Sequence, residues 1–315
     1  MSITRVLQQF DALAASRFDD PWLALEAIGD FGRDAIGTLA DSCDRHPLRW
    51  DMNDDKKFVV FTRPGEPRPF SRAMNTRLFI EDGEEFYERW QRFLAHLRHC
   101  AGQTQLVGIE VEEVNSLFHS AVIGFGAGMD LFSGGNRKAP GTFLEMAVGP
   151  TIAILTGRRE RGQVTLPDPG TGVEERIPVD LHFAALESDP PGSPTLVVPT
   201  KISTRERISQ VFIHQRMLDA LRPGGYRSAL VACNENNTRI PSGLPAADRT
   251  PENCSLTDTL VPGTIRKYQR LVAPIHGMFY TDPPASYLNG QRAGLPSVRT
   301  FGDLLAQDLP GLLAP

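Results

Sequence analysis

Apolar residues in the first hundred positions recur at helical spacing. In ITRVLQQFDALAASRF they place Val6, Phe10 and Leu13 on one face, and in EEFYERWQRFLAHLRHC they gather Phe86, Trp90, Phe93, Leu94 and Leu97, the recurrence of an amphipathic helix. Between these two predicted helices, KKFVVFTR is a short apolar run that fits one strand. Residues 1–105 are thus expected to form a mostly helical N-terminal region.

Past residue 105 the period changes. GTFLEMAVGPTIAIL begins as a helix; QVTLP, RIPVDLHFAAL and TLVVPTK are then rich in β-branched residues and bounded by Pro and Gly, the marks of strands. STRERISQVFIHQRMLDALRPGG returns to helical spacing, with Ile208, Val211, Phe212, Gln215 and Leu218 on one face and Pro223-Gly224-Gly225 as the stop. YRSALVACN follows as another strand. This α+β order predicts a core over residues 106–235 in which helices flank a mixed central sheet. Residues 236–315, rich in Pro, Gly and Asn with weak periodicity, are expected to pack on it as long loops and short helices.

Composition changes little in this picture. With 315 residues, 41% hydrophobic and 23% charged, the chain suits one large core or two smaller ones, and disordered and fibrous classes are excluded. No apolar run approaches the roughly 20 residues of a membrane span, and MSITRVLQQFDALAASRFDD lacks the pattern of a signal peptide. The expected location is cytoplasmic. Cys43, Cys100, Cys233 and Cys254 form no CxxC pair, so neither a zinc module nor a disulfide framework is indicated.

The formal net charge of −5 is a poor guide to partners, because binding a polyanion needs a local basic surface rather than a basic total. Local clusters exist in TRPGEPRPFSR (62–72), SGGNRK (133–138), TGRRERG (156–162) and TRERISQ (204–210), although scattered surface arginines also produce such runs.

Two charged residues interrupt apolar strands: Asp180 in IPVDLHF and Lys201 at the end of TLVVPTK. Adjacent strands can bring both to one end of a sheet, the layout of a metal-dependent phosphodiesterase: the carboxylate holds Mg²⁺ against a phosphate oxygen, and the ammonium orients or helps deprotonate the attacking water. The plainer alternative is a strand-end Asp and a Lys whose stem lies along the surface. Glu145, among Phe143, Leu144, Met146 and Val148, either completes that site or closes a T-x-x-E capping box with Thr142.

Ser203 to Glu206 is a second such box, which accounts for Glu206 but not for Arg205 and Arg207, since cations in a first helical turn oppose the helix dipole. DNA would relieve the conflict. Arginine can bond O6 and N7 of guanine and a carboxylate can accept from the N4 amino group of cytosine, so the triplet carries the groups needed to read G·C pairs. Elsewhere, GFGAGMDLFSGG lacks the P-loop lysine and a preceding strand, and there is no HExxH and no G-x-S-x-G elbow.

In order, Glu145, Asp180, VVPTK and STRER-x-x-Q, on helix, strand, strand and helix, resemble the PD-(D/E)XK nuclease core of type II restriction endonucleases. More narrowly, Lys201 followed by Arg205-Glu206-Arg207 resembles the R-(D/E)-R element of the branch that recognises CCGG or CC-N-GG sites. The resemblance covers roughly residues 140–235 and implies an α/β/α restriction-endonuclease-like core. It further implies Mg²⁺-dependent, site-specific hydrolysis of double-stranded DNA at a palindrome containing CC and GG, leaving 5′-phosphate ends.

Carried over by position, it implies Asp180 and Lys201 as the active-site acid and lysine, Glu145 as a further acid, and Asp180 and Glu145 as Mg²⁺ ligands. It implies that Arg205 and Arg207 contact guanines and Glu206 contacts cytosines, with Gln210 in the same DNA-binding element. Arg137 and Lys138 are placed in a loop that reaches the DNA backbone or minor groove. Two positions depart from the pattern. Pro199 stands two residues before the lysine where the superfamily has its second acid, and His214 and Gln215 stand where the branch carries a glutamate; Gln215 is assigned to the catalytic set as a neutral ligand, a water holder or packing. A palindromic site implies at least a homodimer, with the N-terminal region contacting DNA or the second subunit. A companion DNA methyltransferase acting on the same site, without stable association, is also implied. From the residues alone, two other readings stay open: a non-specific or repair-type nuclease or DNA-binding protein of the same fold, and an unrelated α+β enzyme in which both boxes are only caps.

Overall fold

Asp20 caps helix α1 (Pro21–Ser42): its carboxylate accepts from the backbone N–H of Trp22 at 2.9 Å and of Leu23 at 3.3 Å, and Pro21 sits where a missing N–H leaves nothing unsatisfied. Asp82 does the same for α2 (Gly83–His99), accepting from Glu84 at 2.8 Å and Glu85 at 2.9 Å. The computed structural model describes Phe10, Tyr287 and residues 20–52, 55–65, 70–132, 139–204, 207–245, 248–258, 262–284 and 294–315. Among these, no helix is long and apolar enough to cross a membrane.

Helices α3 (Val111–Phe132) and α4 (Ala139–Thr156) bury most of their residues on every side, as helices enclosed in a core do. With α1 and α2 they form the largest core, in which Phe125 and Phe143 stack at 4.2 Å and Phe10 packs on both at 5.0 and 5.9 Å. The rest of the predicted helix around Phe10 lies outside the described residues. The glycine-rich run beginning at Gly124 is the buried second half of α3 as far as Phe132.

Two sheets complete the fold. The smaller has the order β3-β2-β1-β10-β9, from β1 (Asp44–Trp50), β2 (Phe58–Thr62), β3 (Met74–Asn75), β9 (Asn236–Arg239) and β10 (Ser255–Asp258). The larger comprises β4 (Glu160–Pro167), β5 (Glu174–Phe183), β6 (Thr195–Val197), β7 (Thr200–Lys201), β8 (Tyr226–Ala232), β11 (Gly277–Tyr280) and β12 (Val298–Thr300), in the order β12-β11-β8-β6-β5-β4, with β7 following β6 alongside β8. Its β4, β5 and β6 are antiparallel, whereas β6, β8, β11 and β12 run parallel. Helix α5 (Ile208–Leu221) packs on β8 and β5, α6 (Pro262–Leu271) packs on α5, and α7 begins at Phe301–Asp303 and continues through a π-helical stretch, Leu304–Asp308, to Leu309–Leu313.

Several expectations change. Among the described residues the N-terminal region contributes three strands where one was expected: β1 buries only Leu48 and so shows no apolar alternation, and β3 is two residues long. Beyond residue 235 the chain adds β11 and β12 to the main sheet, strands too short to display a period. The first capping box is not a cap, since Thr142 lies inside α4, which already begins at Ala139; α5 begins at Ile208 with Arg207 at its N-cap position, and Glu206 of the second box lies outside the described residues.

Candidate active site

Asp180 sits at the centre of a bulge. Arg161 pairs with His182 and Gln163 with Pro178, so Val179, Asp180 and Leu181 together face Gly162. Extra residues in one strand bend it and re-aim side chains, which is why bulges recur beside active sites. At Gly162 a side chain would point at the backbone oxygens of Asp180 and Val179, 3.9 Å from its Cβ.

The released carboxylate is taken up by the neighbouring segment. Asp180 Oδ2 accepts from the Thr200 backbone N–H at 2.9 Å and from Lys201 Nζ at 2.5 Å. Both side chains are partly exposed, 29% for Asp180 and 16% for Lys201, so the pair lies at an accessible edge. Lys201 is thereby directed at Asp180 rather than along the surface. Pro199 contributes no acid, but its carbonyl accepts from Val231 N–H at 2.9 Å and ties the turn to β8.

Helix α5 starts seven residues after Lys201, with Arg207 at the N-cap, exposed and making no side-chain capping bond. Arg207, Gln210 and His214 follow at helical spacing, the first two exposed and His214 half-buried. Burial lowers the pKa of the His214 imidazole; the Asp180 carboxylate opposes that shift and the Lys201 ammonium adds to it, so His214 lies within the field of the pair. Arg205, Glu206, Arg137 and Lys138 fall outside the described residues.

Gln215 is engaged elsewhere. It is 1% exposed, and its Nε2 donates to Asp219 Oδ1 at 2.8 Å and to the Tyr226 carbonyl at 3.3 Å. Tyr226 begins β8, whereas Lys201 pairs with Ala232, six residues and about 20 Å further along that strand. Of the two residues standing where an acid was expected, His214 lies half-buried within the field of the pair and Gln215 is held in the core.

Glu145 is half-buried on α4, the helix packed against β5 and β7. Among the described residues no group of three His, Cys, Asp or Glu side chains is arranged to hold a metal by itself. The donor set still fits Mg²⁺. This ion keeps several waters and takes only one or two carboxylates together with phosphate oxygens. Asp180 Oδ1 is neither buried nor used in a hydrogen bond among the described residues.

Sequence reasoning missed the residues behind this site. Glu235, following β8, is 1% exposed and accepts from the Thr204 N–H and hydroxyl and from the Tyr280 hydroxyl. Nothing in ACNENNTR marks it as buried.

No family model matches the chain, and no curated protein matches it. Among solved structures, the crystal structure of the type IIP restriction endonuclease Kpn2I is similar, with a TM-score of 0.69 and 24% sequence identity over 90% of this chain and 88% of that one. This chain shares its fold with that protein. The similarity extends well beyond residues 140–235 and includes both flanks, and the α+β class expected from the sequence is the one found.

Proposed function

We propose that this protein is a Mg²⁺-dependent type II restriction endonuclease that hydrolyses double-stranded DNA at a palindrome containing CC and GG. The observation that carries the reading is the Asp180–Lys201 pair at 2.5 Å, seven residues ahead of a helix with Arg207 at its N-cap, within a fold shared with a type IIP restriction endonuclease.

In this reading Asp180 and Glu145 would hold the ion, which when bound would offset charge on the phosphate and lower the pKa of a water. Lys201 orients the attacking water from its place on Asp180 and donates to the phosphate oxygen as charge builds there. Water displaces the 3′ oxygen in line, leaving a 5′-phosphate and a 3′-hydroxyl. His214, beside the pair, shapes its field in place of an acid. Arg205, Glu206 and Arg207 read G·C pairs, with Gln210 one turn further along. A positive helix terminus already favours an anion, and the exposed Arg207 placed there adds to that preference. A two-fold site calls for two copies of the chain, and a companion methyltransferase would protect host DNA at the same sequence.

Plasmid DNA incubated with the protein and Mg²⁺ tests the proposal. Discrete fragments with 5′-phosphate ends are expected; a smear would indicate a non-specific nuclease, and intact DNA would overturn the enzyme reading.

A further inference from the structure

We propose that Glu235 is a positioning residue for DNA recognition: it fixes Thr204, the residue directly before Arg205-Glu206-Arg207, in a set register to Lys201. The inference rests on the nuclease reading above. It adds a residue that makes no contact with DNA itself.

The joint between cutting and reading residues is held along its length. Beyond the last pair of β7 and β8, Cys233 N–H donates to the Lys201 carbonyl and Asn234 N–H to the Ile202 carbonyl, each at 3.2 Å. One residue later a side chain takes over from the backbone. The Glu235 oxygens accept from Thr204 N–H at 3.0 and 3.1 Å, and Oε1 accepts from the Thr204 hydroxyl at 2.6 Å and from Tyr280 of β11 at 3.1 Å. The Thr204 carbonyl in turn accepts from Arg207 N–H at 2.9 Å. Thr204 is thus tied on its N–H, its hydroxyl and its carbonyl, and it is 1% exposed.

A carboxylate in such surroundings is costly unless its oxygens are bonded, and bonds to an ionised acceptor are the short, directional kind that hold geometry. Three of the Glu235 bonds fall on Thr204, in the segment that joins Lys201 to Arg207. Through the Thr204 carbonyl the hold reaches Arg207, so that a base bound by Arg207 and the phosphate beside Lys201 keep a fixed separation.

The test uses full-length protein and two short duplexes, one carrying the site mapped from the wild-type plasmid digest and one with that site scrambled, in binding assays without Mg²⁺. Thr204→Val keeps shape and removes the hydroxyl; it is expected to lower the ratio of cognate to scrambled affinity about tenfold, the scale of one lost bond to a charged group. Affinity for the scrambled duplex stays within about twofold, and Thr204→Ser, which restores the hydroxyl, recovers the ratio. A purely structural role would lower both affinities together and leave the ratio unchanged, which overturns the proposal. Should Thr204→Val not fold, Tyr280→Phe removes another donor from the same carboxylate, and an unchanged ratio there overturns it equally. A wild-type protein that does not discriminate between the duplexes sinks the nuclease reading itself, whereas a discriminating wild type with an unaltered Thr204→Val sinks only the role of Glu235.

Discussion

Asp180 Oδ2 is shared by the two residues that end the neighbouring segment, Thr200 through its backbone N–H at 2.9 Å and Lys201 through its ammonium at 2.5 Å. One oxygen thereby orients both the turn and the lysine, and Oδ1 is left for other work.

Lys201→Ala removes the charge but keeps the bond from Thr200, so Asp180 retains its place. Cleavage of a plasmid bearing the site should fall by roughly 10²-fold or more, the scale of losing one positioned proton-transfer or electrostatic group. Binding to the cognate duplex should change little. A variant that cuts at the wild-type rate would place the active site elsewhere.

Arg207→Ala should act the other way round. Losing a bidentate guanine contact costs about 1–3 kcal/mol of recognition, measured as cognate affinity against a scrambled duplex. Unaltered discrimination would remove Arg207 from the reading element.

His214 and Gln215 are adjacent in sequence and separated in role. His214→Ala should slow cleavage with little effect on melting temperature, because the imidazole is only half-buried and lies within the field of Asp180 and Lys201. Gln215→Ala should instead leave a cavity and strand the Asp219 and Tyr226 acceptors, lowering stability by on the order of 1–3 kcal/mol. If Gln215→Ala slowed cleavage and melted normally, the assignment would be reversed.

What the sequence displayed and what it concealed follow from how each feature is built. Helix α2 was legible because Phe86, Trp90, Phe93, Leu94 and Leu97 all turn inward, and Asp180 stood out as a charge inside an apolar strand. The inward face of α5 is legible residue for residue, but its start is not: Ser203 resembles a cap, whereas the helix begins at Ile208 and the chain before it is held by Thr204 on Glu235. Glu235 was invisible because its burial depends on Thr204 and Tyr280, 31 and 45 residues away. Strand β1 was missed for the same kind of reason, since its order comes from β2 and β10 on either side and not from its own polar residues.

Gly29 on α1 lies under the Trp90 ring, whose Nε1 donates to the Leu25 carbonyl at 2.9 Å. A Cβ at that position would stand 2.4 Å from Trp90 Cδ1, and a fully buried indole held by that bond cannot swing aside. Gly29→Ala should therefore destabilise the protein by roughly 1–3 kcal/mol despite the better helix propensity of alanine. Chemical denaturation measures it; an unchanged midpoint would mean that the two helices separate freely.

His119 makes stability depend on pH. It is fully buried on α3, its Nε2 has no partner, and Nδ1 lies 3.4 Å from Thr281 Oγ1. Burial lowers its pKa to about 4; the nearby Asp282 opposes the shift and Lys56 adds to it. An unfolded histidine titrates near 6.5, so between that value and about 4 the unfolded chain binds a proton that the folded one refuses. The contribution of the neutral imidazole is therefore complete above pH 6.5 and is lost as pH falls toward 4, by on the order of 3 kcal/mol across the window. The Glu235 carboxyl is raised by burial and so acts in the opposite sense. The difference between wild type and His119→Asn isolates the histidine. The wild type should lose more stability than the variant between pH 6.5 and 4 in urea titrations at constant ionic strength, and parallel curves would show that His119 takes up its proton within the folded protein at little cost.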